Sequence, residues 1–391
     1  MTNRLITAKK LIPIMVCIVF AALLTNKFPK VVFNKQLNSA HDNDFFGRMS
    51  SIMDRTQIIL ADDVMVNMRV SKFYAEHGYT GFSLSEVAQP ATSYIYPILT
   101  SPLFKFLPDS LSLICVVLLS LLFFVMSVLI VTENLKMWHS ILVFGIVFLN
   151  STTINYLFSG WEHIVQPFFV VLTFFFSFKI NNNLLKQRYY VYIAVFGVLA
   201  FLVRQDSIFL VAPVFFWLLL LHKQKEKWIT FVLAFILLFI YFIFQFRWFG
   251  TLTPTTSRLK AGQLPNFSYQ ARYLWSTFIS GSAALFIPTV IILFRDSLFT
   301  KKWSLITFSI IGIMLSFLFL FLVSDVFPNG RMYFTPLIVV IYISLESLRL
   351  KEGANFTSKL HAIFFSNKIW MALFLMLLLS LFNCYKVKIR Y

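Results

Sequence analysis

The sequence predicts an all-α polytopic membrane protein: a bundle of about eleven spanning helices with one long polar loop near its start. Three observations predict it. The chain is 59% hydrophobic and 13% charged, with a mean hydropathy of +0.78, whereas soluble domains carry about 25% charge. Apolar runs of roughly spanning length, about 20 residues, recur from one end of the 391 residues to the other. Lys and Arg collect in alternate gaps between those runs, the pattern of charges retained on the cytoplasmic side.

The apolar runs lie near 11–25, 111–131, 138–150, 164–180, 190–203, 207–221, 229–247, 276–294, 304–323, 333–349 and 369–385. The runs at 138–150, 190–203 and 207–221 are short. Lys9 and Lys10 precede the first run, and no small-x-small cleavage site follows Leu24, so it reads as an uncleaved helix and not as a signal peptide. With the N-terminus inside, the cytoplasmic gaps hold Lys136, Lys186 and Arg188, then Lys223, Lys225 and Lys227. They continue with Arg295, Lys301 and Lys302, then Arg349, Lys351, Lys359 and Lys368. An odd number of spans leaves the basic C-terminal segment outside, the one departure from the pattern. The whole chain, 1–391, reads as a single domain: a first extracytoplasmic loop at 26–110, and the remaining helices and short loops at 111–391.

The formal charge of +18 suggests nucleic acid in a soluble protein. Here cytoplasmic retention and attraction to anionic membrane lipids account for it, and no nucleic-acid partner is expected. Cys17, Cys115 and Cys384 fall within or at the end of apolar runs. They form no disulfide or zinc spacing. No G-x-x-x-x-G-K-[ST] or G-x-G-x-x-G stretch supports nucleotide binding.

The longest polar interval is 62–103. It opens on Asp62 and Asp63, then shows helical spacing, with Val66, Val70, Phe73 and Tyr74 on one face and Arg69, Lys72 and Glu76 on the other. Gly78 is the expected stop. The pattern predicts a helix lying on the membrane. One aspartate suffices to cap it, which leaves the second to accept a proton from an acceptor hydroxyl or to hold a divalent cation, Mg or Mn, against a phosphate. The Ser93–Leu103 segment is too short and proline-broken to span, and reads as a re-entrant or interfacial helix.

Polar groups at membrane depth are functional candidates, and the other outside gaps are rich in them. Glu162 and His163 open the run at 164–180, Arg204 and Asp206 break a long apolar stretch, and Arg258, Lys260, Asp325 and Arg331 follow in later gaps. Glu162 is open to a capping role at a helix N-terminus, and the Arg204-Gln205-Asp206 break to an ion pair within or between helices. Arg258, Lys260 and Arg331 suit a phosphate or pyrophosphate, Arg as a bidentate fork and Lys as a point charge.

These stretches resemble the polytopic membrane glycosyltransferases of the GT-C fold, in particular a bacterial branch that includes arabinofuranosyltransferases. A DD-x-x-x-x-x-R stretch is matched by Asp62, Asp63 and Arg69, and a T-S-P-L segment by Thr100–Leu103. Ser159, Gly160 and Glu162 match S-G-x-E. Arg204-Gln205-Asp206 is similar to R-P-[DE], with Gln in place of Pro. Phe249, Gly250, Pro254, Thr256 and Lys260 match F-G-x-x-x-P-x-T-x-x-x-K, and Asp325, Pro328, Arg331 and Pro336 match D-x-x-P-x-x-R-x-x-x-x-P. Two departures stand out: roughly 35 residues separate the first run from Asp62, and Trp161-Glu162-His163 replaces Leu-Glu-Thr.

The resemblance implies a GT-C-like bundle in the bacterial inner membrane, with its active site on the extracytoplasmic face. The donor would be a polyprenyl-phosphate-linked sugar, and the acceptor lipid-linked or a polysaccharide. Asp62, or else Asp63, would be the general base, with Arg69, Glu162, His163, Arg204, Asp206, Arg258, Lys260, Asp325 and Arg331 binding substrate. Two other classes compete: a flippase of lipid-linked saccharide, and an O-antigen ligase or polymerase. No internal repeat favours the first. The second usually carries its large outside loop late in the chain, whereas here it comes first.

Overall fold

The computed structural model describes residues 62–79, 81, 93–136, 140, 143–144, 147, 160, 162–181, 187–221, 225–249, 304–322 and 334–352. The expected spans at 11–25, 276–294 and 369–385, and most of 138–150, lie outside the described residues. All regular structure among the described residues is helical. In chain order the helices are α1 (Asp62–His77), α2 (Tyr96–Phe106), α3 (Asp109–Val131), α4 (Glu162–Asn181) and α5 (Gln187–Val203). A 3-10 turn at Gln205–Ser207 precedes α6 (Ile208–Leu220), α7 (Lys227–Phe249), α8 (Leu305–Leu322) and α9 (Phe334–Glu352).

Each of α3 to α9 falls on an apolar run of the sequence. Helix α3, helix α4 and the Lys227–Arg247 stretch of α7 are long and apolar enough to cross a membrane. The 20 residues of α4 rise about 30 Å, the thickness of a hydrocarbon core. Helices α5, α6, α8 and α9 are shorter in their apolar part.

Helix α4 is the centre of the bundle. It packs along α5, α3 and α9, and Ile164, Val170, Val171 and Phe174 on it are fully buried. Helix α7 is its opposite: Phe235, Phe239, Phe244 and Phe246 are all more than half exposed. An apolar helix exposed in this way is built to face lipid, since a contiguous apolar face in water would promote association. Buried hydroxyls in the apolar core answer to their own helices. Ser120, Thr132, Thr173 and Ser177 each donate to the carbonyl four residues back, which satisfies them where no water is present. Lys227 turns back to donate to the carbonyls of Leu219 and Leu221 at the end of α6, a cation placed on a helix C-terminus.

The two ends of the bundle carry separate polar sets. At one end Asn134 donates to Glu346 over 3.2 Å, Arg349 approaches Glu346 at 3.3 Å, and Lys179 lies 3.9 Å from Glu133. At the other end lie the N-terminus of α4, the break between α5 and α6, and the N-terminal turn of α9. Among the described residues, the gaps at 132–136 and after Asn181 lie at one end and those at 160–163 and 204–206 at the other.

Helix α1 carries more buried polar groups than its sequence pattern suggests. Its start at Asp62 and its end before Gly78 agree with the sequence pattern. Val70 and Phe73 are buried, while Arg69 and Lys72 are half-buried and Glu76 is exposed, and the buried side also takes in Asn67, Met68 and Ser71. Helix α2 covers it, with Ser71 and Thr100 hydroxyls 2.8 Å apart, and Lys72 makes a two-pronged bond to Asp109 at 2.8 and 2.9 Å. A helix with polar groups on its buried face needs partners inside the protein, and the sequence pattern does not show that those partners exist. Helix α2 has 11 residues, begins with Tyr96-Pro97 and contains Pro102. At about 1.5 Å per residue it is half as long as a span requires, in agreement with the non-spanning reading.

Helices α6 and α8 meet through a glycine. A Cβ on Gly312 would stand 3.0 Å from the Phe209 carbonyl oxygen and 3.3 Å from that of Leu210. Backbone cannot swing away as a side chain can, so small residues are what such close helix contacts require. Gly312→Val is expected to cost about 1–3 kcal/mol and to lower the melting temperature in detergent. Met314→Leu, a volume-conserving change at a 53% exposed position of the same helix, is the control and should lower it far less.

Candidate functional site

The break at Arg204 builds the site. Arg204 has φ −153° and ψ 127°, extended backbone that stops α5. The 3-10 turn that follows launches α6. The α5 carbonyl of Leu202 is left without a helical partner, and it accepts from the backbone N–H groups of Tyr94 at 2.9 Å and Ile95 at 3.2 Å. The segment leading into α2 is thereby fastened to the end of α5, which satisfies an orphan helix carbonyl.

The Arg204 side chain is buried among three partners. Its Nη1 donates to Glu162 Oε1 over 2.9 Å, and its Nε to Asp206 Oδ1 over 3.1 Å. Its Nη2 donates to Asp206 Oδ2 over 3.2 Å. The fork thus grips Asp206 with two nitrogens and Glu162 with a third, the planar two-pronged recognition that Arg provides and Lys does not. His163 Nδ1 lies 3.4 Å from Nη1. The same Nδ1 lies 3.7 Å from Glu162 Oε1.

Uncharged side chains extend the network to two more helices. Asn67 of α1 donates to Glu162 Oε2 over 2.8 Å. Gln166, one turn along α4 from Glu162, donates to Asp206 Oδ1 at 3.1 Å and Ser207 Oγ at 2.8 Å. Thr335 of α9 in turn donates to Gln166 Oε1 over 2.8 Å. The turn before α4 is fixed by Gly160, with φ +70°, a conformation that suits glycine. A Cβ there would lie 3.3 Å from Val117 and 3.4 Å from Met68. The Gly160 carbonyl accepts from the Tyr96 hydroxyl, which also meets Ser120 at 2.9 Å. Four helices and a turn converge on two carboxylates and one guanidinium.

Of the residues singled out in the sequence, Glu162, His163, Arg204 and Asp206 are brought together here. Arg69 sits half-buried on α1, two residues after Asn67. Asp62 and Asp63 begin α1, and their side chains lie outside the described residues, as do Arg258, Lys260, Asp325 and Arg331. The open choices at Glu162 and Arg204 resolve clearly. Glu162 answers to Asn67 and Arg204, and the Arg204-Gln205-Asp206 break is an ion pair both across the turn and between helices.

Arg204 is therefore matched by two carboxylates, and it frames the site as well as lending charge to it. Glu162 and Asp206, both gripped by Arg204, are a poor fit to a divalent cation, which would have to displace the guanidinium. Among the described residues no group of three or more His, Cys, Asp or Glu side chains converges as metal ligands.

Sequence reasoning missed Asn67, Gln166, Thr335 and Tyr94. Tyr94 is held by the Gln205 side-chain amide, packs on Tyr241 with ring centroids 4.7 Å apart, and burial pushes its phenol up to about 12. A signal existed for Gln166, an amide one turn from Glu162 on an otherwise apolar helix. None existed for Thr335, whose partner is 169 residues away.

A scan against models of protein families, a search of curated proteins and a search of solved structures each returned no match.

Breaking a buried pair by removing one partner leaves the other charge uncompensated, at about 3–5 kcal/mol. Arg204→Ala and Glu162→Ala should each lower thermal stability in detergent by that order. The double variant should fall well short of their sum, because their interaction is lost once and not twice. Additive losses would show that the two side chains do not interact.

Proposed function

We propose that this chain is a membrane glycosyltransferase with a GT-C-like bundle. It moves a sugar from a polyprenyl-phosphate-linked donor to a lipid or glycan acceptor of the cell envelope. The site lies at the extracytoplasmic face of a bacterial inner membrane. One observation carries the reading. The buried Glu162–Arg204–Asp206 network is joined by Asn67 to α1, and Asn67 lies four and five residues after Asp63 and Asp62 on the same helix. At about 1.5 Å per residue that separation is 6–8 Å along the helix axis. A costly polar cluster is thus coupled rigidly to the start of the helix that begins with the paired aspartates.

In the proposed step Asp62 takes the proton of an acceptor hydroxyl. The oxygen attacks the anomeric carbon as the carbon–oxygen bond to phosphate breaks. Polyprenyl phosphate leaves with the bonding electrons, and the anomeric centre inverts. Asp63, the alternative base, lies in the first turn of α1, where its charge suits the helix N-terminus. Arg258, Lys260 and Arg331 are assigned to the charge that builds on the departing phosphate, with Asp325 and Arg69 at the substrate. Glu162, Arg204, Asp206 and His163 hold the frame. A divalent cation at Asp62 and Asp63, if the reaction employs Mg or Mn, would add charge stabilisation to the phosphate.

Asp62→Asn and Asp63→Asn are expected to insert and to melt near the wild-type temperature. At least one should reduce sugar transfer by about 10²–10⁴-fold, the range of a lost general base. Full activity in both variants would remove the paired aspartates from the mechanism.

A further inference from the structure

A cleft of about 460 Å³ opens beside the Arg204 break, within the range of about 300–1,000 Å³ typical of small-molecule sites. Its walls are two aromatic pairs. Phe201 and Phe242 stand between α5 and α7 with centroids 6.4 Å apart, and Phe209 and Phe319 stack between α6 and α8 at 4.5 Å. Ile208 at its rim is 45% exposed, and the neighbouring outer face of α7 is the most exposed apolar surface described. The cleft thus adjoins apolar surface of the kind that faces lipid.

Its polar end is made of the Gln205 amide, the Tyr94 hydroxyl and the Asp206 carboxylate. Neutral polar groups continue from there: Tyr94 packs on Tyr241, whose hydroxyl donates to Gln245 Oε1 over 3.0 Å. Gln245 is 3% exposed, and its Nε2 has no acceptor among the described residues. No Lys or Arg is among the described lining residues, and the nearby Arg204 fork is turned onto Glu162 and Asp206. A phosphate placed here would meet a carboxylate. Hydroxyl groups would instead donate to Asp206 and accept from the Gln205 amide.

We propose that this cleft binds a lipid whose headgroup is uncharged and rich in hydroxyls. Its chain lies between the aromatic pairs and its head at Asp206, Gln205 and Tyr94. Naming that lipid the acceptor rests on the glycosyltransferase reading. The binding does not.

The test uses the purified full-length protein in phosphatidylcholine nanodiscs. Two photoactivatable lipids with identical diazirine-labelled chains are compared, a monoglucosyl diacylglycerol and a phosphatidylglycerol, and labelled peptides are mapped by mass spectrometry. The glucosyl lipid should label the peptides carrying Phe201, Phe209 or Phe242 about tenfold more than the anionic one, the ratio set by one retained hydrogen bond to a charged acceptor. Phe242→Trp, which fills the cleft, should remove most of that labelling without lowering the melting temperature. Unlabelled glucosyl lipid should compete on the wild-type protein, which keeps the test valid should the variant misfold. Equal labelling by both lipids, stronger labelling by phosphatidylglycerol, or labelling mapped elsewhere would each overturn the site. Repeating it in Asp62→Asn/Asp63→Asn separates the two proposals. Labelling that persists there while transfer is lost supports both, and labelling in a wild-type protein that transfers no sugar supports the cleft alone.

Discussion

A guanidinium taken out of water must be matched atom by atom, and this bundle is arranged around one that is. Arg204 is 7% exposed and reaches Glu162, His163 and Asp206 at once. Desolvating a charge is expensive unless its partners are in place before it arrives. The positions of Glu162 at the start of α4 and of Asp206 in the turn are therefore not adjustable separately. Break the helix elsewhere, and the fork no longer spans both carboxylates. The extended backbone at Arg204 is the local feature that makes the geometry possible, because it separates the guanidinium from α5 and turns it back on the following turn.

The constraint spreads outward through neutral groups. Asn67 carries it to α1 and Gln166 with Thr335 carries it to α9, while the Leu202 carbonyl fastens the segment before α2. Each of these bonds satisfies a group that would otherwise be buried unpaired. Together they fix one side of α1 against the protein, while Glu76 and His77 stay exposed. On the proposed reading this is what function requires. A general base must hold its place against an acceptor and a lipid-borne donor, and a helix pinned by Asn67 and Lys72 does that better than one resting on lipid.

Much of this was legible in the residues. Apolar runs located every described helix from α3 to α9, because lipid-facing and core-facing surfaces are both apolar and the signal is length alone. Glu162, His163, Arg204 and Asp206 stood out because polar groups at membrane depth are costly. The uncharged members did not stand out. Asn67, Gln166 and Thr335 become part of a site only through contacts across 41 to 169 residues of sequence, and an amide or hydroxyl in a helix has many unremarkable uses. The buried polar side of α1 was illegible for the same reason: nothing assigns Asn67 and Ser71 a face until Glu162 and Thr100 are seen opposite them. The aromatic cleft was hidden because its four Phe residues come from four helices, in a chain with 48 of them.

The central claim is that this frame serves bond-making chemistry and not passage of a lipid. It is tested most directly with purified protein in nanodiscs, a radiolabelled polyprenyl-phosphate sugar and a membrane glycolipid acceptor, by counting both products. The account predicts one polyprenyl phosphate released for each glycosidic bond formed. Sugar that changes leaflet while still attached to its polyprenyl phosphate, with no bond formed, would contradict it and make the protein a transporter.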